Sequence, residues 1–156
     1  MSRTVVSAGL LVYRRGARRR ELEVLLAHPG GPYWAKKDDG AWTVPKGLVE
    51  GDEDLLTAAR REFGEETGLP AAGDVIALKP VNQRSGKLVH AFALEADIDL
   101  TGFSSNTFEM EWPPRSGRRR NFPEIDRVAY FALADAMVKI LAYQRPLLRE
   151  LEQRVG

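Results

Sequence analysis

The stretch Leu88–Asp97 (LVHAFALEAD) constrains this chain more than any other. Leu88, His90, Phe92 and Leu94 alternate with Val89, Ala91 and Ala93, so a strand here carries apolar side chains on both faces. Such a strand needs a covering layer on each side of its sheet. Val5–Tyr13 (VVSAGLLVY) makes the same demand with a nearly continuous apolar run. A single Arg3 precedes it, no small-residue cleavage site ends it, and arginines follow at once, so it reads as a buried strand and not as a leader. Helical spacing supplies the layers. Leu133, Met137, Ile140 and Leu141 share a helical period, as do Leu147, Leu148, Leu151 and Val155, with Pro146 suited to a first turn. A third helix is predicted over Glu53–Thr67, with Gly68 and Pro70 as its stop signals. Strands mixed with three helices predict an α/β fold, an α/β/α sandwich with a mixed β-sheet between helices.

The remaining segments fit that frame. Leu22–Ala27 forms a hairpin-like pair with Val5–Tyr13 across the basic connection Arg14–Arg20, and His28–Gly40 reads as a loop. Short strands are expected at Ala41–Pro45, Val75–Asn82, Phe108–Trp112 and Val128–Phe131, with a polar loop over Pro113–Pro123. At 156 residues the chain is expected to be a single domain, 1–156. Zero cysteines exclude disulfides, thiolate metal sites and a cysteine nucleophile, and His28 and His90 are too few for a His-rich metal site. Twenty-three basic against 22 acidic residues give no global pull toward nucleic acid or membranes. No apolar run approaches the ~20 residues of a membrane span. A soluble, cytoplasmic chain is expected.

Residues 47–69 (GLVEGDEDLLTAARREFGEETGL) carry the chemistry. At about 100° per residue, Glu62, Glu65 and Glu66 share an arc of about 100° on the predicted helix. Leu55, Leu56, Ala59 and Phe63 lie on or beside that arc, which puts the carboxylates at the margin of the buried stripe. Like charges at such spacing repel, and partial burial sharpens the repulsion. A raised pKa or a bound cation offsets it, and hard oxygen donors favour Mg²⁺ or Mn²⁺. Arg61, four residues before Glu65, neutralises part of the cluster.

The segment resembles the Nudix box: Gly, five residues, Glu, seven residues, Arg-Glu, an apolar residue, any residue, Glu-Glu, any residue, Gly, apolar. Gly47, Glu53, Arg61, Glu62, Phe63, Glu65, Glu66, Gly68 and Leu69 fill every defined position. The resemblance implies a pyrophosphohydrolase that cleaves a diphosphate linkage in a nucleoside diphosphate derivative, using divalent cations. It makes Glu62 and Glu66 the main metal ligands, assisted by Glu65 and by the backbone carbonyl of Lys46, with Glu53 and Arg61 orienting them. The general base is Glu65, Glu66 or a carboxylate on a later segment, for which Glu109 and Glu111 stand at a suitable distance.

Outside the box, the lead-in Pro45-Lys46-Gly47 resembles that of diadenosine polyphosphate hydrolases. Lys46 sets a cation beside the expected metal site, and Lys36, Lys37 and Lys87 add to its field. Trp34 is a candidate base-stacking group. Arg119, in the Arg118–Arg120 run, is a candidate phosphate contact on a loop expected to be mobile and to order over the nucleotide. The expected partner is a small-molecule nucleotide, a dinucleoside polyphosphate before a nucleoside triphosphate, an RNA 5′ end or an inositol pyrophosphate. A monomer or homodimer is expected, with no membrane. A non-catalytic nucleotide sensor is the alternative of another class; such proteins usually lose box glutamates, and here all are present.

Overall fold

The computed structural model describes residues 5–16 and 21–156, so residues 17–20 of the expected basic connection Arg14–Arg20 lie outside the described residues. The strands are β1 Val6–Arg15, β2 Leu22–Pro29, β3 Lys46–Leu48, β4 Val75–Ala77, β5 Val81–Asn82, β6 Leu88–Glu95, β7 Thr107–Glu111, β8 Arg119–Pro123 and β9 Ile125–Ala132. The helices are α1 Leu55–Thr67, α2 Leu133–Lys139 and α3 Arg145–Val155.

The main sheet runs β4-β6-β1-β2-β9, with β3 added to β1 and β5 to β6. Among the described strand pairings β1 and β6 run parallel and the others antiparallel, which makes the sheet mixed as expected. The two-sided patterning of β1 and β6 is satisfied by helices on both faces. Ala8, Leu10, Val12 and Leu94 pack with Ala58, Ala59 and Phe63 of α1. Leu11, Tyr13, Val89, Ala91 and Ala93 face Ala136, Leu147, Leu148 and Leu151 of α2 and α3. Among the described residues, no helix is long and apolar enough to cross a membrane.

One departure from regularity positions the site. β1 and β2 pair over Tyr13–Arg15 and Leu22–Val24, and toward the start of β1 the neighbour becomes β3. The segment leading to β3 bridges Ala27 through Thr43, and β3 then pairs with Ser7–Gly9. Buried Gln144 holds the crossing. Its Oε1 accepts from the Val44 amide at 2.9 Å, while Nε2 donates to the Thr43 hydroxyl at 2.9 Å. Gly9 is required on β1, because a Cβ there would come within 2.7 Å of the Lys46 Cβ and closer still to the Pro45 carbonyl.

Four segments differ from the sequence expectation. The strand expected at Ala41–Pro45 is two isolated bridges, Trp42 to Ile140 and Thr43 to Ala27, and the strand starts at Lys46, where it pairs with β1. Val75–Asn82 breaks into β4 and β5, since Pro80 has no N–H to donate. The last strand runs from Ile125 to Ala132 because β2 supplies a long partner. The loop expected over Pro113–Pro123 is instead the turn and second strand of a hairpin, β7–β8. Phe108 lies opposite Phe122 and Met110 opposite Arg120, so the pairing gives the hairpin one aromatic face. That face packs on the segment after β2, with Phe108 against Gly31 and Trp112 edge-on to Tyr33 at 5.3 Å.

Candidate active site

Helix α1 presents the box carboxylates to β3. Asp54 caps its start, accepting from the Thr57 amide at 2.9 Å, and Gly68 closes it at φ 66°, a left-handed turn that favours glycine. Fixed between these ends, Glu66 is buried and accepts a 2.7 Å bond from the Lys46 amide. The Glu62 carboxylate lies directly against Gly47: a Cβ at that position would come within 2.6 Å of Oε1 and would overlap Oε2. Gly47 therefore cradles a carboxylate, which explains glycine at the first position of the box.

Arg61 ties the cluster together. Its guanidinium donates to Glu53 at 2.8 and 3.0 Å, to Glu62 at 2.8 Å, to Glu65 at 3.1 Å and to the Leu48 carbonyl at 3.0 Å. These bonds raise the Arg61 pKa, with the Glu53 bond foremost, and hold the Glu53 carboxyl below its ordinary range. Glu62 and Glu66 behave in the opposite way. Burial pushes Glu62 upward and carries Glu66 to about 8, against the Lys46 amide bond that pulls it down.

The charge of Glu124, on the link between β8 and β9, raises both Glu62 and Glu66 further. Its backbone is fixed to the site: the Glu124 amide donates to the Asn106 carbonyl at 2.8 Å, and the Asn106 amide donates to the Glu65 carbonyl at 3.0 Å. A carboxylate on a later segment was expected, but not this one. No local pattern marks Glu124, and only the return of the chain past α1 brings it in. Glu109 and Glu111 are engaged elsewhere, Glu109 by the Arg119 guanidinium and Glu111 by the Arg115 amide at 2.7 Å.

The donor set fits a hard divalent cation, because like charges raise one another beside buried Glu66 and each donor is an oxygen. As the side chains stand, no three acidic or histidine groups among the described residues close around one point. Glu62 and Glu65 turn to Arg61, and Glu66 turns to the Lys46 amide.

The other expected residues fall in two places. Lys46 spans the site: its amide meets Glu66, while its Cβ lies on the Gly9 side of the sheet, away from α1. Lys36 and Lys37 are exposed on the segment after β2, where the Lys37 ammonium sits over the Trp34 ring at 5.0 Å. That segment is anchored by buried His28, whose ring nitrogens meet Asp126 at 2.8 Å and the Lys37 carbonyl at 2.6 Å. Arg119 is exposed on β8 and paired with Glu109. No hydrogen bond or ion pair joins Trp34, Lys36, Lys37 or Arg119 to the carboxylate cluster among the described residues.

A family model for the NUDIX domain matches residues 3–151. The chain belongs to the NUDIX family. Nudix hydrolase 7 of Arabidopsis thaliana is 27% identical over 116 residues, covering 70% of this chain and 39% of that protein. An RNA pyrophosphohydrolase of Caulobacter vibrioides is 41% identical over 56 residues, 33% of each chain. This NUDIX chain thus spans well under half the length of the curated relatives it matches. Among solved structures, the NUDIX domain of Shewanella oneidensis NrtR complexed with ADP ribose superposes with a TM-score of 0.69 at 16% identity, covering 100% of this chain and 91% of that one. A C. elegans Ap4A hydrolase superposes with a TM-score of 0.62 at 24% identity, covering 94% and 96%. At those identities the likeness is one of fold, and it agrees with the α/β sandwich.

Proposed function

We propose that this NUDIX chain is a Mg²⁺- or Mn²⁺-dependent hydrolase of a phosphoanhydride in a nucleoside diphosphate derivative. The observation that carries the reading is Glu66, buried against the Lys46 amide and raised to about 8 by burial, with the charges of Glu62 and Glu124 raising it further. Repulsion of that kind costs stability in a bare protein and becomes useful when a cation and a phosphate chain occupy the site. A bound divalent ion supplies neutralisation of phosphate charge and a more acidic water.

The residues around it hold and orient. Glu62 and Glu66 provide carboxylate oxygens, Glu65 assists, and the Lys46 carbonyl completes the oxygen set. Arg61 fixes the carboxylate directions from Glu53 and the Leu48 carbonyl, and is free to release Glu62 without losing Glu53. Glu124, exposed and near enough for its charge to raise Glu62 and Glu66, is the group to accept the proton of the attacking water, with its backbone tied through Asn106 to α1. No covalent nucleophile is needed, since positioning and charge neutralisation carry phosphoryl chemistry.

The substrate we infer is a dinucleoside polyphosphate such as diadenosine tetraphosphate. The motif Pro45-Lys46-Gly47 supports it, with Lys36, Lys37, Trp34 and Arg119 as contacts for the outer phosphates and a base. An RNA 5′ end is the second reading. The 41% identity to an RNA pyrophosphohydrolase and the exposed arginines of the β7–β8 hairpin favour it. One assay separates them: hydrolysis of diadenosine tetraphosphate, a nucleoside triphosphate, ADP-ribose and 5′-triphosphorylated RNA with Mg²⁺, products resolved by chromatography. Fastest turnover of the dinucleotide supports the first reading, and exclusive turnover of RNA replaces it with the second. No hydrolysis of any substrate refutes the enzyme.

A further inference from the structure

His28, near the end of β2, is 0% exposed and has an acceptor at each ring nitrogen. Nδ1 lies 2.8 Å from an Asp126 carboxylate oxygen, and Nε2 lies 2.6 Å from the Lys37 carbonyl. A carbonyl oxygen only accepts, and so does an ionised carboxylate. A neutral imidazole has one N–H and satisfies one of the two; its other nitrogen would turn a lone pair on the second oxygen. Both bonds form together only when both nitrogens carry protons. Bulk water does not reach the ring to replace either partner.

The elements packed on the ring bring charges of both signs. Asp126 and Arg127 come from β9, with Nε of Arg127 3.4 Å from the same Asp126 oxygen. The segment after β2 brings Lys37, whose ammonium turns to the Trp34 ring, and Asp38, which accepts from the Trp42 indole at 2.8 Å. That indole stands edge-on to His28 at 5.2 Å and under the Arg127 guanidinium at 5.4 Å. Lys139, at the end of α2, pairs with Asp38 and Asp39. Among the described residues, Asp126 is the carboxylate bonded to the imidazole.

The two partners of the ring belong to two stretches that the hydrolase reading uses. Asp126 is two residues past Glu124, and Lys37 lies on the segment with Trp34 and Lys36. The ladder between β2 and β9 is irregular here, its register shifting between His28 and Pro29. Beyond the shift, the Gly30 amide donates to the Glu124 carbonyl at 2.9 Å. Gly30 is pressed on Pro123, where a Cβ would come within 2.9 Å of the carbonyl carbon and closer still to its oxygen. Where regular pairing lapses, the imidazole joins the two stretches from the side.

We propose that His28, held as an imidazolium, is a positioning residue that sets Glu124 relative to the segment carrying Trp34, Lys36 and Lys37. The inference rests on the hydrolase reading for what is positioned, Glu124 as proton acceptor and the segment as substrate contact. Loss of the second proton breaks one of the two bonds. Whichever bond remains, the start of β9 and the segment after β2 are no longer fixed to each other through the ring.

The test joins NMR of the ring to kinetics. In the ¹⁵N-labelled full chain at about pH 6, both His28 nitrogens are expected at protonated shifts, with both N–H signals protected from exchange. A ring with a single N–H at that pH overturns the proposal. Raising the pH until the second proton leaves is expected to move the Gly30 and Glu124 amide signals in the same transition, and amides that stay still through it overturn the proposal too. Removing the ring would orphan the Lys37 carbonyl, so the variant is Asp126→Asn, which keeps an acceptor for Nδ1 but removes the charge favouring the imidazolium. It is expected to lower kcat on the best substrate of the Mg²⁺ panel about tenfold at about pH 7. The ratio of its kcat to the parent's should rise as the pH falls, because acid returns the proton. A ratio independent of pH is a purely structural loss and overturns the positioning role. Hydrolysis by a chain whose His28 ring holds one N–H overturns the clamp alone. Two N–H signals and coupled amides without hydrolysis of any panel substrate support the clamp and overturn the enzyme.

Discussion

Replacing Gly47 with Ala separates the catalytic role of the box from its contribution to stability. Gly47 does not have a positive φ, so alanine is acceptable to the backbone. The three atoms nearest the added methyl all belong to the Glu62 carboxylate, which it approaches within 2.6 Å at Oε1 and overlaps at Oε2. Ordinary carbon contacts lie near 3.5 Å, so the carboxylate must retreat by about 1 Å or more. Its side chain is flexible, but the retreat strains the 2.8 Å bond from Arg61. Losing that charge-assisted bond costs about 1.5–3 kcal/mol, offset by about 0.4–1 kcal/mol from the smaller entropy of the unfolded alanine chain. A net loss of about 1–2 kcal/mol lowers Tm by roughly 3–8 °C at this length. A displacement of about 1 Å at a metal-holding carboxylate costs on the order of 100-fold in kcat. The measurements are a thermal melt in EDTA and steady-state hydrolysis of the best panel substrate with saturating Mg²⁺. The reasoning is refuted if kcat stays within twofold of the parent, or if the variant fails to fold. Gly9→Ala is the contrast, because its methyl strikes the Pro45 carbonyl and Lys46 Cβ, which cannot swing aside. It should lower Tm far more.

Three further outcomes are expected. Glu66 has a folded-state pKa of about 8, raised from 4.5, so its protonated form stabilises the metal-free fold below pH 4.5 and that contribution is lost as pH rises toward 8. Urea midpoints in EDTA should show stability falling with pH across that window more steeply in the parent than in Glu66→Gln, by up to about 1.4 kcal/mol per pH unit; equal slopes exclude burial of Glu66 as the cause. Arg61→Ala leaves Glu53, Glu62 and Glu65 without their shared partner and should cost about 2–3 kcal/mol, with saturating Mg²⁺ restoring part of the lost Tm; a melt unchanged from the parent contradicts this. Gln144→Leu orphans the buried Val44 amide and should cost about 1–3 kcal/mol while lowering kcat through a loosened β3, so an unaltered melt and rate count against that role.

The box was legible from sequence because its chemistry is local. Glu62, Glu65 and Glu66 are set on one face of α1 by helical pitch, and the capped ends fix where that helix starts and stops. The two-sided apolar patterns of β1 and β6 likewise required a sheet covered by helices, since no arrangement with a wet face buries both rows. Sequence shows the first strand of the β7–β8 hairpin but not the second, because Arg119–Pro123 is polar apart from Phe122 and Pro123. Pairing with β7 makes it a strand, and pairing is a property of two segments.

Tertiary structure alone decided how far the site extends. Glu124 joins the carboxylates through backbone bonds to Asn106, and Asn106 through one to Glu65, contacts made only when distant stretches of chain meet. Lys46 appeared in sequence as a cation beside the metal. The register of β3 on β1 adds what sequence did not offer: the Lys46 backbone amide binds Glu66, while its Cβ leaves the strand beside Gly9. Sequence spacing determines what one helix or strand can present. Which residues of other elements meet it depends on the order and register in which the strands assemble, and those are set by burial and hydrogen bonding summed over the whole fold.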